Sequence, residues 1–306
     1  MTRIVSLLPA TTEIVHALGC GDALVGRSHE CDHPPGVETL PIVTEPKVWM
    51  DGDSAAIDRQ VREILEQALS VYRVHTDVLR DVAPDVVLTQ SQCEVCAVSS
   101  DEVQEAVDLH LDGDVEVVAL EPNALADVLD DVRRVATALG VPERGEELAT
   151  SMSQRIDAIA ERTAELPRRR VLTLEWIDPP MAAGNWMPEL LEAAGGQELF
   201  GRAGQHSPWL EWDEVAAADP DVIVVLPGGF DLDRTREEAT ALTKLPGWSQ
   251  LRAVQAGRTA LVDGHRFFNR PGPRLVESTH ILAEILHPDT FAPSYLGDAW
   301  EPMPPP

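Results

Sequence analysis

Four cysteines occur in the 306-residue chain, and three of them lie close to other potential metal ligands. Cys93 and Cys96 form a Cys-x-x-Cys pair, and Cys31 lies between His29 and His33. Thiolates and imidazoles bind soft metal ions such as zinc, and paired thiols can also cycle between dithiol and disulfide. Since a closed zinc site needs four ligands, the two segments together could form one. Small buried thiols near a turn would explain the same residues without any metal.

Tryptophan is concentrated in one stretch of a chain that is poor in aromatic residues. These residues make up 5% of the chain, yet Trp176, Trp186, Trp209 and Trp212 fall within 37 positions. Flat, rigid, apolar side chains suit a large planar ligand such as a corrin. Packing in a core or between lobes is the alternative. We expect Trp176 and Trp209 to contact a ligand, and Trp186 is a further candidate.

Three polar residues are candidates for ligand contact because of where they fall in the predicted elements. Glu175 precedes Trp176 at a strand end and could anchor a ligand amide, bind a metal or act as a general base; a capped loop carboxylate is the alternative. Arg270 flanks a Pro-Gly-Pro turn and could bind a phosphate or a propionamide. Thr11 lies at a helix start, where free backbone N–H groups could meet a polar ligand edge.

Two segments with the same pattern are expected to position these side chains. Residues 84–89 (PDVVLT) and 220–226 (PDVIVVL) each follow a predicted helix, at 76–82 and 213–218. A short, wholly apolar strand is typical of a parallel sheet that is buried on both faces. The sequence therefore predicts an α/β fold with two doubly wound lobes, each built on a central parallel sheet.

Apolar periodicity predicts the remaining elements and the division of the chain. Strands are expected at 4–8 and 24–26 and helices at 55–70, 124–140 and 143–165, with Thr11 or Thr12 capping a first helix that ends near Leu18. The helix at 143–165 would be about 34 Å long, enough to join two lobes; an ordinary surface helix is the alternative. We predict a first lobe at 1–141, a connecting helix at 142–166, a second lobe at 167–290 and a loosely packed proline-rich tail at 291–306.

The charge of the chain argues against two classes of partner. The net charge is -28, from 24 basic and 52 acidic residues, and lysine occurs only at Lys47 and Lys244. Such a surface repels nucleic-acid phosphates and anionic lipid, so we expect neither a nucleic-acid partner nor membrane association. A surface rich in carboxylates and poor in lysine is also typical of proteins adapted to high salt.

Signals for targeting, membrane insertion and catalysis are not apparent in the sequence. No apolar run approaches 18 residues, and Met1-Thr2-Arg3 leads directly into a predicted strand. A cytoplasmic location is therefore expected for the sequence as it stands, and an extracytoplasmic one if a leader was removed. Gly-x-Ser-x-Gly, His-Glu-x-x-His and P-loop motifs are absent, so we expect a protein that is not an enzyme.

Several segments, in order along the chain, resemble the class III substrate-binding proteins of ABC importers, which bind vitamin B12, iron-siderophores, haem or metal ions. The segments are 3–13 (RIVSLLPATTE), 32–35 (DHPP), 84–87 (PDVV), 175–180 (EWIDPP), 220–223 (PDVI) and 273–274 (PR). The similarity covers roughly residues 3–287. Segments 29–32 (HECD), 93–96 (CEVC) and 270–274 (RPGPR) are shared with leaderless relatives that are labelled cobalamin-binding.

The resemblance implies two α/β lobes joined by one rigid helix, with the ligand in a cleft between the lobes. It also implies a corrinoid or related large metal chelate as the ligand, an ABC importer permease as a partner, and no required cofactor. Trp176 and Trp209 match positions where the vitamin B12 binder places aromatic residues against its ligand. Glu30 stands where that binder has a tyrosine, so the first lobe offers a different set of side chains.

Two functions therefore stay open from the sequence. The first is binding of a cobalamin-like ligand, either for an ABC importer or in a leaderless intracellular relative. The second is a cytoplasmic metal- or thiol-dependent protein or enzyme that holds zinc or another soft metal ion. It would use the cluster His29, Cys31, Cys93, Cys96 and Glu175.

Overall fold

A computed structural model describes residues 2–47, 52–66, 71–91, 100–111 and 114–304 of the chain. Contacts between Cα atoms divide the chain into two units. Unit 1 comprises Met1–Gly52, Ala56–Pro122 and Ala126–Ser151, and unit 2 comprises Asp53–Ala55, Asn123–Leu125 and Met152–Pro306.

The described residues form short strands and helices that alternate along most of the chain. The strands are β1 (Ile4–Ser6), β2 (Leu24–Arg27), β3 (Thr44–Pro46), β4 (Tyr72–Val74), β5 (Val86–Gln90), β6 (Glu116–Leu120), β7 (Arg169–Trp176), β8 (Met181–Ala182), β9 (Gly196–Glu198), β10 (Val222–Val225), β11 (Thr259–Val262) and β12 (Trp300–Pro302). The α-helices are α1 (Pro9–Ala17), α2 (Ser54–Glu66), α3 (Thr76–Val82), α4 (Ser100–His110), α5 (Leu125–Ala138), α6 (Pro142–Thr163), α7 (Met187–Ala193), α8 (Trp212–Ala218), α9 (Leu232–Glu238), α10 (Arg252–Gln255) and α11 (Leu275–Leu286).

The sheet of unit 1 has the strand order β2-β1-β5-β6, and all of its strands are parallel. Every residue of β1 and β5 is buried. Their aliphatic side chains fit a sheet covered on both faces, because helices follow the strands and return over the sheet. A separate antiparallel pair, β3 and β4, lies within the same unit.

The sheet of unit 2 has the order β12-β11-β10-β7-β8, and β9 also pairs with β7. Strands β9, β7, β10 and β11 are parallel, whereas β8 and β12 are antiparallel to their neighbours. The residues of β10 and β11 are all buried. The prediction of a parallel central sheet in each of two α/β units is therefore confirmed.

The long helix of the middle region is present. Helix α6 begins at Pro142, whose fixed φ suits the first turn of a helix. The boundary between the two units falls inside α6, between Ser151 and Met152. This boundary differs from the predicted lobe limits at 141 and 167, because each half of the helix packs with a different unit.

The start of the first helix differs from the prediction that Thr11 or Thr12 caps it. Helix α1 begins at Pro9, and the extended residue Leu8 precedes it with no side-chain cap. The hydroxyl of Thr11 instead donates a hydrogen bond to the carbonyl oxygen of Leu8, at 3.0 Å. Proline provides the helix start here because it has no N–H to satisfy.

The prediction of a loosely packed tail at 291–306 is wrong for the described residues up to 304. Phe291 is 1% exposed and Ala299 is fully buried. Strand β12 pairs with β11 and closes one edge of the unit 2 sheet. The tail packs because an open sheet edge leaves backbone groups unpaired, and β12 satisfies those of β11. Within the described part of the chain, no helix is both long and apolar enough to cross a membrane.

Candidate functional site

Three loops meet at one edge of the unit 2 sheet. Strands β7, β10 and β11 are parallel neighbours, so the loops that follow them leave from the same edge. The N–H of Gly228, after β10, donates to the carbonyl oxygen of Glu175 in β7 at 3.1 Å. The N–H of His265, after β11, donates to the carbonyl oxygen of Phe230 at 3.0 Å. Ligands of open α/β sheets bind at this kind of edge.

Trp176, at the end of β7, packs against Phe230 with the ring centroids 5.3 Å apart and the planes at 50°. Phe230 is 1% exposed, whereas Trp176 is half-buried and so keeps part of its indole at the surface. The guanidinium carbon of Arg234 lies 4.0 Å from the Phe230 ring centroid. The Nε1 atom of Trp176 is buried, and no described residue pairs with it. We call Trp176 and Phe230 together the aromatic face.

The carboxylate of Glu175 is held beside this aromatic face. The hydroxyl of Ser207 donates to Oε2 of Glu175 at 2.9 Å, and the N–H of Gly184 donates to the same hydroxyl at 3.0 Å. A side chain at position 184 would lie 2.5 Å from the carbonyl oxygen of Gln205, so glycine is needed for this close approach. No local pattern indicates Ser207 as a site residue, because its partner Glu175 lies 32 residues away in the chain.

Of the four clustered tryptophans, Trp186 is buried inside unit 2, and Trp212 is partly buried and packs against its core. Trp186 is 7% exposed, and its Nε1 donates to the carbonyl oxygen of Phe268 at 3.3 Å. Trp212 stacks on Trp248 with the centroids 6.0 Å apart. An indole that is packed and has its N–H satisfied presents no surface to a ligand, so the candidate site excludes Trp186.

Trp209 differs from Trp186 in its exposure. It is 52% exposed and pairs through its backbone with Met181 of β8. Because Met181 also pairs with Trp176, Trp176 and Trp209 lie on the two segments that flank β8. Exposure and position leave both tryptophans as candidates for ligand contact.

Arg270 supports a loop and presents little of its guanidinium at the surface. It is 3% exposed, and its Nη2 lies 2.7 Å from Nε2 of His265. His265 lies in a π-helical turn, Gly264–Phe268, that follows β11. Burial and the bond to His265 show that Arg270 holds this turn, and the expectation that it contacts a ligand stays a prediction.

In unit 1, His29 follows the carboxyl end of β2 and is fixed by one threonine. Thr44 Oγ1 accepts the backbone N–H of His29 at 3.1 Å and lies 2.8 Å from its Nδ1. The ring packs against Tyr72, with the centroids 5.3 Å apart. Burial, together with the positive charge of Arg27, lowers the pKa of His29 to about 4. The imidazole is therefore neutral at pH 7.

Thr11 and Cys31 belong to a buried polar network in unit 1. Thr12 Oγ1 lies 3.0 Å from Cys31 Sγ and 2.7 Å from Ser6 Oγ, within hydrogen-bond distance of both, and Ser6 Oγ lies 2.6 Å from Thr11 Oγ1. Thr11 is fully buried and Cys31 is 1% exposed. The side chain of Thr11 therefore belongs to this network, and the expectation that the helix start meets a ligand edge stays a prediction. Glu30 is half-buried, and its Oε1 accepts a hydrogen bond from the Tyr72 hydroxyl at 3.4 Å.

The expected metal cluster is not formed by the described residues. Among the described residues, no group of three or more His, Cys, Asp or Glu side chains could hold a metal ion. Cys93 and Cys96 lie outside the described residues. His29 and Cys31 are close in sequence, but Cys31 is buried against Thr12 and His29 is bonded to Thr44, so the two belong to separate networks.

The sequence of the chain matches that of a known protein family. Residues 4–264 match the family model of the periplasmic binding protein family. The chain belongs to this family. Its members are binding proteins, so the expectation that the chain is not an enzyme is confirmed.

Two relatives and one solved structure are similar to the chain over most of its length. An ABC transporter substrate-binding lipoprotein, YvrC of Bacillus subtilis, is 26% identical over 94% of this chain and 81% of its own length. A vitamin B12-binding protein of Photorhabdus laumondii is 23% identical over 93% of this chain and 88% of its own. A periplasmic haem-binding protein of Pseudomonas aeruginosa superposes with a TM-score of 0.72, at 21% identity and 94% coverage of both chains.

Proposed function

We propose that the protein is the substrate-binding component of an ABC importer and that its ligand is a corrinoid or a related large metal chelate. The observation that carries this proposal is the aromatic face of Trp176 and Phe230 at the carboxyl edge of the unit 2 sheet. Trp209 pairs with β8, the neighbour of β7, and Glu175 lies next to Trp176 in β7. Family membership and the names of the relatives that bind vitamin B12 or haem support the proposal.

The chemistry of the edge favours a ligand with a broad flat surface and hydrogen-bond donors. A half-buried indole braced by a buried phenyl ring loses little conformational freedom when a flat ligand packs on it. The carboxylate of Glu175 can accept a hydrogen bond from a ligand N–H. A corrinoid carries amide side chains that donate such bonds, whereas the carboxylates of haem would be repelled by Glu175. We therefore propose a corrinoid ahead of haem.

A permease partner and an extracytoplasmic location belong to the same proposal. The relative from Bacillus subtilis is named as a substrate-binding lipoprotein of an ABC transporter, which supports this proposal. We propose the same location for this protein, because an importer receptor must meet its ligand outside the membrane.

Equilibrium dialysis against cobalamin tests the proposal, with the bound ligand measured by its visible absorbance. We expect saturable binding at micromolar or lower concentration and a Kd about 10 to 100 times higher for Trp176→Ala. Trp212→Phe is the matched control, because Trp212 packs on Trp248 and not on the aromatic face. The Kd of this control should equal that of the native chain.

Two results would contradict the proposal. One is the absence of cobalamin binding in a folded, metal-free sample, with stoichiometric zinc uptake that Cys93→Ser abolishes. This result would favour the metal-dependent alternative. The other is an unchanged cobalamin Kd in Trp176→Ala, which would remove the aromatic face from the binding site.

A further inference from the structure

His29 is held in a way that leaves one ring nitrogen for a ligand. Thr44 Oγ1 accepts the backbone N–H of His29 at 3.1 Å and lies 2.8 Å from Nδ1. A threonine hydroxyl oxygen has two lone pairs, so it can accept both the backbone N–H and an Nδ1–H. That tautomer places the lone pair of the ring on Nε2. None of the described residues forms a hydrogen bond with Nε2.

The surroundings of His29 also fix the direction of the ring. Tyr72 packs on the imidazole with the centroids 5.3 Å apart, and Tyr72 itself is 7% exposed. Thr44, which holds Nδ1, is 2% exposed. A ring with one nitrogen bonded to a second residue and one face packed has the arrangement typical of a metal-binding histidine.

The number of available ligands decides which kind of metal His29 can bind. A free zinc ion needs at least three protein ligands, and no group of three or more candidate ligands occurs among the described residues. The thiol of Cys31 is buried and hydrogen-bonded to Thr12, whereas the imidazole of His29 is held by Thr44. A single imidazole is sufficient only where the metal is already held by a chelate and has one position open.

We infer that Nε2 of His29 coordinates the metal ion of the chelate ligand at an axial position. This inference rests on the proposed function, since it concerns the same ligand. When the ligand binds, the lone pair of Nε2 forms a bond to the metal ion, and the water molecule that occupied the axial position leaves. The oxidation state of the metal does not change, and no proton is transferred.

Aquacobalamin and cyanocobalamin test the inference, because they share a corrin and differ in the axial group. The water of aquacobalamin exchanges for imidazole, whereas cyanide does not leave under the same conditions. We expect the native protein to bind aquacobalamin about 10 times or more tightly than cyanocobalamin. We also expect the absorption spectrum of the bound aquacobalamin to shift to that of an imidazole complex.

Variants separate coordination from packing. His29→Ala should lose the spectral shift and bind aquacobalamin no more tightly than cyanocobalamin. Thr44→Val should keep the shift but weaken aquacobalamin binding, since it leaves Nδ1 without its partner. His75→Ala is the matched control, because His75 is another partly exposed histidine of unit 1, placed 3.8 Å from Glu45. It should behave as the native chain does. Urea unfolding checks that every variant is folded.

The outcomes distinguish this inference from the proposed function. If both cobalamins bind with equal Kd and no spectral shift, or if His29→Ala keeps the shift, axial coordination is overturned and corrinoid binding stands. If neither cobalamin binds to the folded native protein, the proposed function fails and the inference fails with it. A spectral shift that disappears in His75→Ala but persists in His29→Ala would assign the coordination to His75 and would also overturn the inference.

Discussion

Trp300 and Glu284 are joined by a hydrogen bond of 3.0 Å from the indole Nε1 to Oε2 of the carboxylate. The Glu284 side chain, on α11, is fully buried. The same carboxylate accepts the backbone N–H groups of Ser294 and Tyr295 at 2.8 and 3.2 Å. One buried residue thus holds both the turn after α11 and the edge strand β12. The tail is therefore part of the folded unit 2.

We expect Glu284→Ala to lower the free energy of unfolding by about 3 kcal/mol, since it leaves buried donors without an acceptor. Urea unfolding, followed by circular dichroism, measures this change. Glu277→Ala on the same helix is the control. Glu277 is partly exposed and bonds to Arg155 at 2.9 Å, so its loss should cost less than about 1 kcal/mol. Equal midpoints for Glu284→Ala and the native chain would show that the carboxylate does not anchor the tail.

The buried strands could be predicted because their composition alone identifies them. Wholly apolar runs such as 86–88 and 222–225 suit a sheet that is covered on both faces, and each follows a Pro-Asp pair. Helix α6 could be predicted because Pro142 marks its start and its length is unusual. These features are local, so they need no knowledge of distant residues.

The composition of the site could be predicted only in part, because distant contacts decide which side chains reach the surface. Trp176 and Trp186 are the same residue type and lie close in sequence. The indole N–H of Trp186 donates to the carbonyl oxygen of Phe268 and the side chain is buried, whereas Trp176 is half-buried. His29 depends on Thr44 and Tyr72, which lie far along the chain. The proline content of the tail concealed its edge strand.

Asp131 gives the stability of unit 1 a dependence on pH. Burial raises the pKa of Asp131 to about 6, although the nearby Arg134 guanidinium acts to lower it. Its Oδ2 is buried and has no partner among the described residues. Because the folded chain binds this proton more tightly than the unfolded chain does, the free energy of unfolding falls as the pH rises from about 4 to about 6.

Asp131→Asn should remove this fall, since asparagine does not titrate. Relative to the native chain, the variant should gain about 1–2 kcal/mol in the free energy of unfolding between about pH 4 and pH 7. Urea unfolding at several pH values measures the difference. Asp130→Asn, at an adjacent and exposed residue that bonds to Arg133, is the control and should show no such gain. A constant difference across the pH range would contradict the assignment to Asp131.

The two cysteines in the described part of the chain should differ in reactivity. Cys31 is buried and bonded to Thr12, whereas Cys20 is partly exposed. Alkylation requires access to the thiolate, so iodoacetamide should modify Cys20 at least about 10 times faster than Cys31 in the folded protein. Peptide mass spectrometry resolves the two sites, and unfolding in urea should make their rates similar. Equal rates before unfolding would show that the Cys31 network opens readily.

The excess of carboxylates should make the stability of the protein depend on salt. At a net charge of -28, acidic groups on the surface repel one another, and salt reduces the screening length from about 10 Å at 0.1 M to about 3 Å at 1 M. We therefore expect KCl to raise the Tm at pH 7 over this range, as measured by thermal unfolding. Near pH 4.5 many carboxylates become protonated, so the rise should be much smaller there. An equal rise at both pH values would assign the effect to salting-out of apolar groups, and a Tm that does not change at pH 7 would show that surface repulsion contributes little.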